Sequence, residues 1–241
     1  MIIDLVKKSK NNFLWHYITV KLLKLNIDNF LHPKIFLKKL DEVKINIDDL
    51  YIYAKNFPET KWMKEAEMMN NRAYQSNHDL QKNKKFFYIK SQIEDFLNQN
   101  IKKYFLNNNS VGKFSVKNMW FVIMKENTTH HIHSHPKAIL SGVIYLKKNK
   151  TEDGKLNLLI PNFNKKKYSQ KELTNYINKE TILVNFNENK VKETYINSKN
   201  YKFNPNEKDM IVFNSYLYHS VESYSDKDDR ISLAWDAVYT L

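Results

Sequence analysis

The sequence predicts a mainly β protein with helices in its N-terminal part. From about residue 113 onward, short segments rich in β-branched and aromatic residues follow one another, separated by Asn, Lys, Pro or Gly. No helical pattern lies between them, which is typical of an antiparallel sandwich or barrel. The 241 residues are enough for one large domain with its own hydrophobic core.

Residues 1–110 are predicted to be mostly helical and to pack on the β core. In two segments of this part, apolar residues recur at intervals of three and four, the spacing of a buried helix face. These segments are "NIDNFLHPKIFLKKLDEV" and "FFYIKSQIEDFLNQNIKKYFL". Residues 111–241 form the predicted β core, interrupted around residues 162–180 by a polar insertion that is expected to carry one short helix.

Seven segments of the β core are predicted strands. They are "FSVKNMWFVIMKE", "AILSGVIYLK", "GKLNLLI", "TILVNF", "KETYI", "DMIVFNS" and "RISLAWDAV". Gly142 lies inside the second of them, and a glycine within a strand usually marks a bulge or the close approach of another part of the chain.

The absence of cysteine excludes disulfides, zinc–thiolate sites and thiol catalysis. A reducing compartment fits this composition, so we expect a cytoplasmic protein. The N-terminal residues lack the continuous apolar region of a secretory signal. No stretch approaches the roughly 18 to 20 apolar residues of a membrane span, so we expect no contact with a membrane.

The formal net charge of +13 permits nucleic acid as a partner but does not favour it. Of the 39 basic residues, only Arg72 and Arg230 are arginine. A surplus of Lys, Asn and Ile is what AT-rich coding produces, and proteins that read phosphates usually exploit the bidentate arginine fork. A functional polyanion-binding surface remains the alternative interpretation of the charge.

Four of the eight histidines crowd into "HHIHSH". Alternate side chains of an extended segment share a face, so we expect His131, His133 and His135 to face one cavity and His130 to point away. His131 and His135 would be separated by roughly 13 Å of extended chain. One metal ion would therefore take an adjacent His-x-His pair, a common half of a metal site, and a further ligand from elsewhere.

His219 is the candidate for that further ligand. It follows "PNEKDMIVFNSYLY", which we interpret as a turn and a strand that ends in the histidine. Such a strand, lying opposite one that begins with His-x-His, is how a double-stranded β-helix builds a mononuclear metal centre. Taken alone, His219 would be a surface or capping residue; beside the histidine cluster, it is a predicted ligand.

Arg230 opens the next predicted strand, and Ser232 shares its face. An arginine that points into a barrel is costly unless a carboxylate meets it. The guanidinium fork and the hydroxyl side by side suit one carboxylate of a small diacid. The alternative is an ion pair with Asp228, Asp229 or Asp236.

These motifs resemble the Fe(II)/2-oxoglutarate-dependent oxygenases, and more closely a branch of small oxygenases from bacteria and phages. The resemblance runs from about Asn70 to Ala237, and residues 162–180 match least. The similar segments, in order, are "NNRAYQS", Trp120, "HSHP", "LSGVIYLK", "EDGKLNL", "DMIVFNSYLYHSV" and "DDRISLAW". The resemblance implies a double-stranded β-helix core, that is, a jelly roll like that of the cupins.

The resemblance also implies roles for individual residues. His133 and His219 would be iron ligands, and Arg230, assisted by Ser232, would hold the distal carboxylate of 2-oxoglutarate. Tyr145 would also reach that carboxylate. The implied reaction is a hydroxylation that couples decarboxylation of 2-oxoglutarate to succinate with oxidation of a small-molecule or peptide substrate, with ascorbate as reductant.

His135 departs from the pattern of the superfamily, most of which has Asp or Glu at this position. Either iron is bound by His133, His135 and His219, or a carboxylate such as Glu126 joins the site, or His135 is not a ligand. His131 and His133 form a second His-x-His pair, but the spacing from Trp120 and the proline that follows favour His133 and His135.

Two other functions are compatible with the sequence. The first is a cupin-like metalloenzyme with three histidine ligands that does not use 2-oxoglutarate. The second is a non-catalytic module whose basic helical front end docks on nucleic acid, which a steep fall of affinity with salt would reveal. The identity of the substrate and the oligomeric state are not predicted.

Overall fold

A computed structural model of the chain describes residues 34–40, 47–56, 73–105, 111–135, 137–149, 153–159, 181–184, 192–195 and 200–240. Within these ranges, twelve strands form two sheets, and a cavity lies between the sheets. This arrangement confirms the predicted mainly β fold with helices in the N-terminal part.

The larger sheet has seven strands in the order β2-β3-β12-β5-β10-β1-β8, and all of its pairs are antiparallel. Its strands are β1 Lys34–Lys39, β2 Tyr74–Gln75, β3 Lys113–Met124, β5 Leu140–Lys147, β8 Lys192–Tyr195, β10 Asp209–Asn214 and β12 Arg230–Thr240. β12 lies between β3 and β5 and is buried along nearly its whole length.

The smaller sheet has five strands in the order β4-β11-β6-β9-β7. Its strands are β4 Thr128–His133, β6 Leu156–Leu159, β7 Thr181–Val184, β9 Asn200–Phe203 and β11 Tyr218–Tyr224. Its pairs are antiparallel except for that between β7 and β9. The segments predicted as strands in the sequence all form strands in one or the other sheet.

The described helices are α1 Ile47–Lys55, α2 Phe87–Phe96 and α3 Lys102–Phe105, with a π-helical segment Leu97–Ile101 between the last two. α2 is the helix predicted from apolar spacing, and it buries Ile89, Ile93 and Phe96. Its Glu94 carboxylate accepts the main-chain N–H of Val116, and Asn98 of the π-helical segment bonds both main-chain groups of Phe114. These bonds attach the helix to the start of β3. None of the described helices is long and apolar enough to cross a membrane.

The helix predicted around "HPKIFLKKL" is wrong, because Lys34–Lys39 forms β1 between β10 and β8. Ile35, Phe36 and Leu37 are at most 2% exposed, so consecutive side chains are buried on both faces of the sheet. A short continuous apolar run of this kind does not distinguish a strand from a buried helix. The N-terminal part therefore contributes β1 and β2 to the larger sheet. The short helix expected at residues 162–180 lies outside the described residues.

Gly142 on β5 is explained by the neighbouring Trp235, which is its cross-strand partner on β12. A Cβ added to Gly142 would lie 2.1 Å from Cζ2 of the indole. Trp235 is fully buried, so its ring has little room to move away. Only a residue without a side chain allows the indole to lie flat against β5.

We expect Gly142→Ala to lower the free energy of unfolding by about 1–3 kcal/mol, the usual cost of overpacking a core. Urea denaturation measures this loss, and Lys117→Ala, on an exposed position of β3, serves as the control with little change. Because the clash is with the six-membered part of the indole, adding Trp235→Phe should make the combined loss smaller than the sum of the two single losses. Strictly additive losses would show that the ring is not the cause.

Candidate metal centre

The pairing of β4 with β11 brings two of the predicted ligands together. His133 is the last residue of β4, His219 is the second residue of β11, and the two are register partners. The prediction that His219 ends a strand is wrong. β10 ends at Asn214, and a turn closed by the bond from Leu217 N–H to the Asn214 carbonyl, 3.0 Å, leads into β11. The sequence "NSYL" carries no glycine or proline to mark this turn.

His135 completes the cluster from the loop that follows β4. Its main-chain N–H donates to the carbonyl of Ser215 at 2.9 Å, which holds the loop against the turn before β11. The potential ligand atoms of His133, His135 and His219 all lie within 4.8 Å of one another. Within the described residues this cluster includes no carboxylate, and Glu126 is exposed in the turn between β3 and β4.

A β-bulge decides which other histidine faces the cavity. His133 pairs with His219 and His130 pairs with Val221, so β4 advances three residues while β11 advances two. The extra residue shifts the alternation of side chains along β4. His130 therefore lines the cavity and His131 is exposed, the reverse of the alternation expected from the sequence.

Hydrogen bonds orient the three rings of the cluster. Nδ1 of His133 donates to the carbonyl of His131 at 2.7 Å, and Nδ1 of His219 donates to that of Leu217 at 3.1 Å. Nδ1 of His135 donates to the carboxylate of Asp236 at 2.7 Å. Since a carbonyl or a carboxylate can only accept, each Nδ1 carries a proton. In the neutral form of each ring Nε2 is then the nitrogen with the lone pair, as binding of a metal ion at Nε2 requires.

The pKa values of His133 and His219 favour neutral rings. Burial, reinforced by the neighbouring His135, lowers the pKa of His133 to about 4. Burial and the adjacent histidines also lower the pKa of His219 well below its ordinary value. Neutral imidazoles are the form that binds metal, so near neutral pH no proton has to be displaced from these two side chains.

Arg230 forms the other polar end of the cavity and is 1% exposed. Its Nη1 contacts the sulfur of Met124 at 3.1 Å, and its Cζ lies 4.9 Å from the centre of the Tyr145 ring. Its Nε has no hydrogen-bond partner, whereas its guanidinium also interacts with the Tyr145 hydroxyl. Burial raises the pKa of Tyr145 to about 12, so this phenol remains a hydrogen-bond donor.

The carboxylates considered as ion-pair partners of Arg230 have other contacts. Asp236 accepts from His135, Asp229 lies 3.8 Å from the ammonium of Lys55, and Asp228 accepts from Asn149. Ser232 lies on the cavity wall beside Arg230, with its hydroxyl 3.5 Å from the carbonyl of Val122. A guanidinium with an unpaired Nε–H and a neighbouring hydroxyl fit the carboxylate of a small acid.

The remaining walls of the cavity are mostly apolar; they include Val122, Leu156, Phe213 and Val221. Three nitrogen donors at one end and a cation at the other are what ferrous iron and a dicarboxylic 2-oxo acid would require of the protein. The residues that line the cavity therefore fit both ferrous iron and the 2-oxo acid.

Sequence reasoning missed the contact of Asp236 with His135 and the position of His130 in the cavity. Asp236 shares the face of Arg230 and Ser232 on β12, so a period of two counted from Arg230 would have found it. His130 contacts the Gln75 amide at 2.8 Å, and the same amide accepts from His78 at 3.2 Å. This series of hydrogen bonds from His130 to His78 depends on the bulge in β4 and on the pairing of β2 with β3. Neither feature is visible in the sequence.

The chain matches the family described as "Putative 2OG-Fe(II) oxygenase" over residues 118–236, about half of its length. This range contains His133, His135, His219, Arg230 and Asp236. No curated protein matches the sequence.

Solved structures with a similar fold include a prolyl 4-hydroxylase from Pseudomonas putida, with 13% identity, coverage of 92% of this chain and 98% of that one, and a TM-score of 0.52. HygX from Streptomyces hygroscopicus, solved with nickel and 2-oxoglutarate, has 10% identity, coverages of 88% and 85%, and a TM-score of 0.53. An oxidoreductase of the 2OG-Fe(II) oxygenase family from Burkholderia pseudomallei has 13% identity and a TM-score of 0.39, and the match spans 61% of this chain and 55% of that one.

The likeness to the first two structures confirms the predicted double-stranded β-helix core. The family match adds the class of enzyme, which the three clustered histidines support independently through their geometry. The chain thus belongs to the Fe(II)/2-oxoglutarate-dependent oxygenase superfamily, and the predicted oxygenase activity with iron and 2-oxoglutarate is confirmed at that level.

Proposed function

We propose that His133, His135 and His219 bind ferrous iron, and that Arg230, with Tyr145 and Ser232, binds the distal carboxylate of 2-oxoglutarate. The observation that carries the proposal is the sharing of one cavity by a cluster of three histidines and a buried arginine whose Nε has no hydrogen-bond partner. When bound, the iron and the 2-oxo acid supply the dioxygen chemistry that hydroxylates a C–H bond of the substrate.

The protein contributes orientation, charge and exclusion of water. The main-chain carbonyls of His131 and Leu217 hold two of the rings with Nε2 directed at the cluster. The Nε–H of Arg230 has no partner within the protein, so a carboxylate can gain a charge-assisted hydrogen bond there. The largely apolar walls lower the effective dielectric between the two ends of the cavity, which strengthens both interactions.

The substrate is proposed to be a small molecule or a peptide that enters beside His130. From this ring, which lines the cavity, a hydrogen-bonded chain runs through Gln75 to the exposed His78. His78 stacks on Trp120 with ring centres 4.2 Å apart. This row of polar and aromatic groups connects the histidine cluster with the surface and offers hydrogen bonds to a polar substrate.

His133→Ala and His219→Ala are expected to abolish succinate formation from 2-oxoglutarate in the presence of ferrous iron, ascorbate and air. His131→Ala is the matched control, because it removes a neighbouring histidine whose side chain is exposed. Nickel should raise the melting temperature of the wild type and of the control, since a ligand that binds only the folded state stabilises it. It should not raise that of the two cluster variants.

Iron binding without any 2-oxoglutarate binding or turnover in the wild type would contradict this proposal and favour a cupin-like enzyme with three histidine ligands. Equal loss of nickel stabilisation in His131→Ala and His133→Ala would contradict the assignment of the ligands.

Tyr145→Phe is expected to raise the KM for 2-oxoglutarate about 3- to 10-fold, the equivalent of one hydrogen bond, with a smaller change in kcat. Tyr216→Phe is the matched control, because Tyr216 is equally buried and does not line the cavity. Initial rates at varied 2-oxoglutarate measure both variants. An unchanged KM in Tyr145→Phe would remove this residue from the proposed carboxylate site.

The metal-free protein is expected to lose stability as the pH falls from about 6.5 towards 4. The folded-state pKa of His133 is lowered to about 4, so between these values the unfolded chain binds more protons and is favoured. His130 and His219 shift in the same direction. Melting temperatures across this range measure the effect, and His133→Gln should flatten the slope. A slope unaffected by that substitution would contradict the assigned cause.

A further inference from the structure

The three histidines of the cluster differ in the group that accepts the hydrogen bond from Nδ1. His133 and His219 donate to main-chain carbonyls, whereas His135 donates to the carboxylate of Asp236 at 2.7 Å. Non-haem Fe(II) oxygenases commonly hold the metal with two histidines and one carboxylate, whereas this cluster of described residues consists of three histidines. The side chains of His135 and Asp236 are 12% and 8% exposed, so water screens their contact only weakly.

Asp236 is held in place from a second direction. Its register partner across the β12–β5 pair is Ser141, whose hydroxyl donates to the same carboxylate oxygen at 2.6 Å. Both bonds therefore fix that oxygen on the side of His135. Burial raises the pKa of Asp236, but His135, Ser141 and His78 together lower it below its ordinary value.

We propose that Asp236 is a positioning residue that supplies, through the ring of His135, the negative charge that a direct carboxylate ligand would otherwise provide. A carboxylate at Nδ1 fixes the tautomer with Nε2 free and increases the basicity of that nitrogen. With 2-oxoglutarate bound, the charges of the ferrous ion and Arg230 balance those of the co-substrate and Asp236. This inference rests on the proposed function, because it requires His135 to be a metal ligand.

Asp236→Asn isolates the charge. The amide oxygen can still accept from His135 and Ser141, while the negative charge is gone. We expect ferrous iron, measured anaerobically by competition with a chelator, to bind this variant about 10- to 100-fold more weakly. The visible spectrum of the cobalt-loaded variant should change as well, since it reports ligand strength at the metal.

Asp209→Asn is the matched control, because Asp209 is also a buried carboxylate but lies on β10 and accepts from the main chain of Asn206. Its loss affects stability and not the metal, so its iron affinity should equal that of the wild type. Melting temperatures of the metal-free variants separate folding from binding. Equal weakening of iron binding in both variants would overturn the proposal, since any buried carboxylate would then have the same effect.

Two further variants test whether Asp236 acts through His135. Adding Asp236→Asn to His135→Ala should cause no further loss of iron affinity, because the ring that transmits the charge is already absent. The exchange His135→Asp with Asp236→Asn places the charge directly at the metal and should bind iron more tightly than Asp236→Asn alone. The proposal would be overturned if the exchanged variant bound iron no more tightly than Asp236→Asn, and if Asp236→Asn weakened iron binding further in the His135→Ala background.

The outcomes also separate this inference from the proposed function. If His133→Ala, His135→Ala and His219→Ala all weaken iron binding but Asp236→Asn does not, only the role of Asp236 is overturned. If His135→Ala has no effect while the other two do, His135 is not a ligand and the inference fails with it. If none of the three weakens iron binding, the proposed metal site itself is wrong.

Discussion

The candidate site depends first on the antiparallel register between β4 and β11. That register places His133 opposite His219, and the bulge that follows it turns His130 towards the cavity and His131 towards solvent. A slip of one residue would exchange the buried and exposed faces of β4, because side chains alternate along a strand. Buried side chains of β11 itself, among them Val221 and Tyr224, fix the register from the core side.

The second constraint is the burial of polar groups between the sheets. Each histidine of the cluster is satisfied at Nδ1 by the protein, so burial does not leave an unpaired donor there. Arg230 is less well satisfied, because its Nε has no hydrogen-bond partner and its Nη1 contacts a thioether, a weak acceptor. A buried cation held in this way lowers stability, and a bound carboxylate would reverse that cost. Without a bound acid, Arg230 therefore makes the protein less stable than an apolar residue at position 230 would, and such a cost is expected of a binding site.

Much of the fold was predictable because strand-forming segments and the apolar spacing of α2 are local properties of the sequence. β1 was not predictable, because Ile35, Phe36 and Leu37 are apolar in succession and only the flanking strands show that both faces are covered. The same limit applies to the site. A histidine motif and an arginine in an apolar strand are visible as residue types, whereas the bulge that selects His130 over His131 arises from pairing with a distant strand.

The two sheets also make unequal contributions to the cluster. His133 and His219 belong to the smaller sheet and are oriented by their own main chain, so their geometry follows directly from β4 and β11. His135 lies beyond the end of β4 and is oriented by Asp236 of the larger sheet. The position of its Nε2 thus depends on how the sheets pack, and packed interiors resist small displacements. A carboxylate on β12 can therefore affect both the charge and the position of the proposed ligand His135, which the smaller sheet alone does not orient.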